Sequence, residues 1–200
     1  MKERPIIFSG PMVRAILEGR KTQTRRVVKP QHDCSFDGLA PAREYLGRKH
    51  FGSWGAYFGW AFVPCPYGPA GTRLWVRETH YVERAGHDGE TGFILYKASE
   101  PDMIVSRWRP SIHMPRWASR ILLEVEDVRL ERVQDISDLD ALAEGIQVIG
   151  RTEVNDLSRG KFRHAFRALW DSINAKRGHG WDKNPWVWVV QFRVVNAQEA

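Results

Sequence analysis

Residues 17 to 30 read LEGRKTQTRRVVKP, and the fold turns on how this stretch is divided. The segment before it, SGPMVRAILEG, carries helix signals: Ser9 or Gly10 as cap, Pro11 in the first turn and Gly19 as the stop. Met12, Val13, Ile16 and Leu17 share one helical face, which predicts burial. Lys21 then falls just past a helix C-terminus, and TQTRRVV leads into an extended segment. Arg20, Lys21, Arg25, Arg26 and Lys29 surround Thr22 and Thr24. The stretch is therefore a solvated loop, a phosphate-binding surface or part of an active site.

Charge makes the stretch distinctive. The 200-residue chain has a net charge of +6. Residues 1–30 hold Lys2, Arg4, Arg14, Arg20, Lys21, Arg25, Arg26 and Lys29 against Glu3 and Glu18. Eight minus two equals the whole excess, so the basicity is a patch, and a patch of this sign suggests an anionic partner. With 42% hydrophobic residues the length suits one globular domain, residues 1–200. No segment has the pattern of a signal peptide or membrane span, and two cysteines make no disulfide framework, so a reducing cytoplasm is expected.

Further along, TRLWVRETHYV predicts a strand with Leu74, Val76 and Glu78 on one face. SRILLEVEDVRLERV alternates as a second strand, with Ile121, Leu123 and Val125 inward. SDLDALAEG is a short helix with a capping box from Ser137 to Asp140 and Gly145 as terminator. GKFRHAFRALWDSIN is amphipathic through Phe162, Ala165, Phe166, Leu169, Trp170 and Ile173. The chain closes on NPWVWVVQFRVV, a long strand. Residues of about 30–65 and 84–110 read as two long insertions, the first with a hairpin near Trp54–Val63. The absence of a βαβ rhythm and of a Gly-rich phosphate loop excludes a doubly wound sheet. An α+β fold is expected: a small mixed or antiparallel β-barrel with peripheral helices.

Five segments taken in order, EGRKTQTRR, GTRLWVRET, MPRWASRILLEV, ISDLDALAEGI and NPWVWVVQFRV, resemble the ASCH family, a branch of the PUA-like barrels. They are most similar to the long phage and prophage forms. The resemblance implies a cleft and an association with RNA, modified nucleosides or nucleotides, in a bacterial host cytoplasm if the chain is phage-encoded. Some compact members are amidohydrolases that remove the acetyl group of N4-acetylcytidine. Their lysine, threonine and glutamate map onto Lys21, Thr24 and Glu144, with Arg20 and Thr22 in the same turn. The chain departs from the family at Thr72, where relatives commonly carry an acidic residue, and in its two insertions.

The residues suit such chemistry on their own terms. Thr24 could attack an exocyclic amide if Lys21 were neutral, and neighbouring Arg20, Arg25 and Arg26 would lower the lysine pKa. The arginines would hold a phosphate or polarise the carbonyl. In a straight strand Lys21 and Thr24 point to opposite faces, so they meet only if the chain turns between them. Glu144 opposes the macrodipole at its helix C-terminus, at a cost of about 0.3–1 kcal/mol when exposed. A cation such as Lys21 would relieve it. Glu78 reads as a cleft residue or the partner of an arginine, Arg77 or Arg26. Trp54, Trp60 and Trp108 sit in the insertions among basic residues and are candidates for base stacking or a lid. No cofactor is expected. Cys34, Cys65 and His32 lack metal-ligand spacing, so no metal is expected either. Two other functions fit the same residues, a non-catalytic nucleic-acid-binding module and a ribonuclease.

Overall fold

A computed structural model describes residues 3–31, 38–41, 54–58, 61–85, 90–147 and 160–195. Residues 17–30 divide as expected, with the end of a helix followed by extended chain. Helix α1 (Gly10–Leu17) has Ser9 at its N-cap and Pro11 in its first turn. Gly19 closes it at φ 71°, a left-handed conformation that costs glycine little. Val13, Ala15 and Ile16 are buried, whereas Leu17 is exposed. Strand β2 (Gln23–Val27) follows.

The other strands are β1 (Glu3–Ile7), β3 (Gly38–Pro41), β4 (Trp54–Phe58), β5 (Ala61–Pro64), β6 (Arg73–Arg77), β7 (His80–Ala85), β8 (Glu90–Tyr96), β9 (Leu122–Arg132) and β10 (Trp186–Val195). Helices α2 (Asp138–Ala143) and α3 (Lys161–Asn174) complete the set. Five strands join in the order β1-β6-β9-β10-β2, with β1 parallel to β6 and the pairs β6/β9 and β10/β2 antiparallel. This mixed sheet, with three α-helices among the described residues, is the expected α+β class. Both insertions carry structure: β3-β4-β5 form a three-stranded antiparallel sheet, and β7-β8 a two-stranded one. The hairpin expected near Trp54–Val63 is β4 paired with β5. Gly55 in β4 is required by close backbone approach, since an added Cβ would lie 2.1 Å from the Val63 carbonyl oxygen.

Contacts divide the chain into two compact units. The first comprises residues 1–19, 72–124 and 193–200, and the second residues 20–71 and 125–192. In the first unit the single strand expected over residues 72–82 breaks after Arg77 into β6 and β7. Glu78 at the break is buried, as its alternation with Leu74 and Val76 requires.

In the second unit, α3 buries Phe162, Phe166 and Trp170 against Trp181, Val187 and Val189. Phe166 meets Trp170 and Trp181 at centroid distances of 6.0 and 6.4 Å. Val187 to Val190 are all buried, so this part of β10 is covered on both faces. Helix α2 is built from its capping box: the Ser137 hydroxyl accepts from the Asp140 backbone N–H, and the Asp140 carboxylate accepts from the Ser137 N–H. Glu144 is its C-cap residue, and Gly145 reverses the chain at φ 83°. No helix among the described residues is long and apolar enough to cross a membrane.

Because the capping box sets where α2 begins, it also sets where Glu144 lies. Ser137→Ala is expected to lower stability by about 1 kcal/mol, read as a lower urea midpoint with an unchanged slope.

Candidate functional site

The site lies wholly in the second unit. Strand β2 pairs with β10 so that Gln23 faces Gln191, Thr24 faces Val190 and Arg25 faces Val189. Just before it, the Thr22 carbonyl accepts from the Phe192 N–H while the Thr22 N–H donates to the Ala143 carbonyl. Those two bonds tie the turn to β10 on one side and to the end of α2 on the other. Lys21 and Glu144 consequently form an isolated antiparallel bridge.

The two side chains meet there. The Lys21 Nζ lies 2.7 Å from Glu144 Oε2, 2.8 Å from the Glu144 carbonyl oxygen and 2.7 Å from the Gln23 carbonyl oxygen. Three acceptors engage the three protons of an ammonium. Lys21 is 3% exposed and Glu144 5%. Burial pulls the Lys21 pKa below its ordinary value, Glu144 pushes it back up, and the charges of Arg26 and Arg25 add to the fall. The direction matches the expectation from charge crowding, but desolvation is the larger cause.

Arg25 extends the pair into a network. Its Nη1 reaches Glu144 Oε1 at 3.3 Å, and its Nη2 reaches Glu131 Oε2 at 3.0 Å and Asp140 Oδ2 at 3.4 Å. Its guanidinium lies over the Phe166 ring, 6.0 Å from the centroid. Arg129 Nε pairs with Glu131 Oε1 at 2.9 Å, and its Nη2 lies 3.4 Å from Asp140 Oδ1. Gln23 donates from Nε2 to Asp140 Oδ1 at 3.1 Å. Three cations, Lys21, Arg25 and Arg129, thus face three carboxylates, Glu131, Asp140 and Glu144. Asp127, 3.8 Å from Arg129, stands at the solvent edge.

Lys21, Gln23 and Arg25 have the same parity along the chain and all point into this network. Thr24 has the opposite parity, and its side chain is buried on the other face of β2. The turn that Lys21 and Thr24 would need in order to meet does not form, since β2 runs straight through both Gln23 and Thr24. The structure therefore brings Lys21 and Glu144 together and separates Thr24 from them.

The other candidates divide similarly. Arg25 is drawn inward and is not presented to solvent. Arg20 donates from Nη1 to the Gly145 carbonyl at 3.2 Å. Thr22 is exposed at the turn, and Arg26 and Trp54 are partly buried. Glu78 belongs to the first unit, where Arg120 holds it through two bonds of 2.9 and 3.0 Å. It is the arginine-paired carboxylate the sequence allowed, but the partner is Arg120 rather than Arg77 or Arg26. Trp108 is also in the first unit, with the Lys97 Nζ 5.9 Å from its ring centroid. Trp60, Cys34 and His32 lie outside the described residues. Cys65 is buried, and no His, Cys, Asp or Glu cluster among the described residues is arranged to hold a metal.

Sequence reading missed Gln23, Arg129, Glu131 and the second role of Asp140. A signal was present: Arg129 and Glu131 stand at i and i+2 on β9, sharing a face opposite the buried Val128 and Leu130.

No family model and no curated protein matches this chain. It is similar to two solved structures. One is a protein from Enterococcus faecalis V583 assigned to DUF984, at 10% identity, covering 98% of this chain and 82% of that one, with a TM-score of 0.45. The other is an ASCH domain from Lactobacillus crispatus JV V101, at 12% identity, 96% and 79% coverage and a TM-score of 0.41.

Two outcomes follow from the network. Glu144→Leu leaves the Lys21 ammonium buried without a counter-charge and is expected to cost about 3–5 kcal/mol. Lys21→Met should cost less, because Arg25 still neutralises Glu144; urea unfolding at neutral pH ranks the two. Asp140 gives a pH signature. Burial raises its pKa, but the Ser137 hydrogen bond, the Arg25 charge and the Gln23 hydrogen bond together hold it below the ordinary value. Its contribution is complete above the unfolded value of about 3.9 and is lost as pH falls through the lower folded value. Unfolding free energy should drop more steeply below about pH 4 in the wild type than in Asp140→Asn.

Proposed function

We propose that this chain is an RNA- or nucleoside-directed protein of the ASCH type, in which Lys21 and Glu144 hydrolyse the amide of an acylated nucleobase. The observation that carries the reading is the Lys21 ammonium, buried, of lowered pKa, and 2.7 Å from a carboxylate. An amine of shifted pKa with a specific charged partner is what proton transfer requires. In the proposed step, water adds to the acyl carbon and yields its proton to Glu144. The C–N bond breaks, and the leaving nitrogen takes a proton from Lys21, which Glu144 then restores. The products are a carboxylic acid and the free exocyclic amine. Thr24 is not the nucleophile in this scheme, because its side chain lies on the other face of β2.

A non-catalytic nucleic-acid-binding module is the second reading, and one observation favours it. All three Lys21 protons and both Glu144 oxygens are engaged within the protein. In that case the pair only locks the turn to α2, and binding falls to the exposed basic residues around it.

A mass-spectrometric screen of acylated nucleosides and short RNAs separates the readings. Hydrolysis predicts release of the acid by the wild type and by Thr24→Val, and a loss of turnover on the order of 10²–10⁴-fold in Lys21→Met and Glu144→Gln. Folding of each variant is checked by circular dichroism. No product from any substrate, with RNA retained by the wild type, overturns the catalytic reading. Shortened RNA in the same spectra would instead point to a ribonuclease.

A further inference from the structure

The first unit holds a second concave site that the Lys21–Glu144 network does not use. It is a pocket of about 640 Å³ lined by Tyr81, Val82 and Glu83 of β7 and by Ser106, Arg107, Arg109, Pro110 and His113. That volume is in the range of small-ligand sites. One wall is a strand and the other an irregular segment, and the backbone joins them. His80 and Arg109 form an isolated bridge, with the His80 N–H donating to the Arg109 carbonyl at 3.2 Å and the Arg109 N–H donating to the His80 carbonyl at 2.7 Å. A 3-10 turn over Ser111–His113 then brings the imidazole to the same pocket.

The chemistry of the lining is one-sided. Arg107 and Arg109 stand two residues apart and both line the pocket, while Trp108 between them does not. Both arginines are exposed, and among the described residues neither has an ion-pair partner. Glu83 is the one carboxylate in the lining, and the Tyr81 hydroxyl donates to it. Two guanidinium groups, an imidazole and the Ser106 hydroxyl therefore line one pocket together with a phenol ring.

We infer that this pocket binds the terminal phosphate of a nucleotide. Two guanidiniums match a phosphomonoester, which carries about −1.5 to −2 charges at neutral pH, better than a singly charged phosphodiester. Their planar forks suit phosphate oxygens bidentately. Tyr81 offers a ring for the base, and the volume exceeds what phosphate alone would need. A free mononucleotide and the 5′-phosphorylated end of an oligonucleotide present the same chemistry. The site makes no use of the Lys21–Glu144 pair, so its test is direct binding, which stands whether or not any amide is hydrolysed.

Calorimetric titration of the full chain uses inorganic phosphate, nucleoside 5′-monophosphates, the unphosphorylated nucleosides, and one short RNA with and without a 5′-phosphate. Binding is expected for the monophosphates, with nucleosides and the 5′-hydroxyl RNA bound at least tenfold more weakly. Binding of both phosphorylated forms at equal strength assigns the monoester alone; preference for one identifies the source. Arg107→Gln and Arg109→Gln should each weaken binding on the order of tenfold. Glu83→Gln, which removes the opposing charge, should strengthen it. Since both arginine side chains are exposed, unchanged circular dichroism is expected and confirms that a loss is local. The inference is overturned if the wild type binds none of the phosphorylated probes, if it binds them no better than their unphosphorylated counterparts, or if both arginine variants bind like the wild type.

Discussion

A lysine ammonium removed from water must find compensation for several kcal/mol of lost hydration. At Lys21 that compensation is a carboxylate and two carbonyls, all within 2.8 Å. The geometry of the second unit follows from meeting this demand. Glu144 can reach Lys21 only if α2 ends where it does, which the capping box at its start and the reversal at Gly145 arrange. The Gln23 carbonyl can accept only if the turn enters β2 directly, which the Thr22 bonds to Phe192 and Ala143 enforce. Glu144, awkward against the macrodipole of its own helix, is satisfied by two cations instead of one.

The same demand changes the meaning of the basic patch. Five positive charges between Arg20 and Lys29 suggest a surface for phosphates, yet Lys21 and Arg25 are turned inward and neutralised by Glu131, Asp140 and Glu144. Such a network, held in a low-dielectric setting, orients each member closely and makes each costly to remove. A proton-transfer pair needs that rigidity, and so does a purely structural latch; turnover is the property that distinguishes them. In the first unit the relation is reversed. Glu78 is the buried, arginine-paired carboxylate, while Arg107 and Arg109 remain at the surface of a pocket.

The elements were legible wherever a local rule sufficed. The stop at Gly19, the capping box at Ser137 and Asp140, the inward faces of β9 and α3, and the hairpin of β4 and β5 each follow from a few adjacent residues. The tertiary context overrode periodicity at particular places. Leu17 and Ile173 lie on predicted apolar faces but are exposed, both in the last turn of their helices. The break between β6 and β7 gave no local signal, since Glu78 and Thr79 continue the alternation of the strand before them. Within the site, Lys21 and Glu144 were readable as a pair because one is a cation crowded by cations and the other an anion at the wrong helix end. Arg129 and Glu131 were not, because an exposed-looking charge pair on a strand is common and its partners are distant in sequence.

Sequence alone thus determined the main helices and strands, where the short helix begins and ends, and that a basic turn follows the first helix. These are decisions of backbone conformation and capping, made within a few residues. Only the tertiary structure decided which side of β2 each residue faces and which charges meet. Alternation along β2 sends Lys21, Gln23 and Arg25 to one face and Thr24 to the other, and pairing with β10 and α2 determines what each face touches. Contacts between residues more than a hundred positions apart, such as Lys21 with Glu144 and Arg25 with Glu131, depend on that long-range pairing.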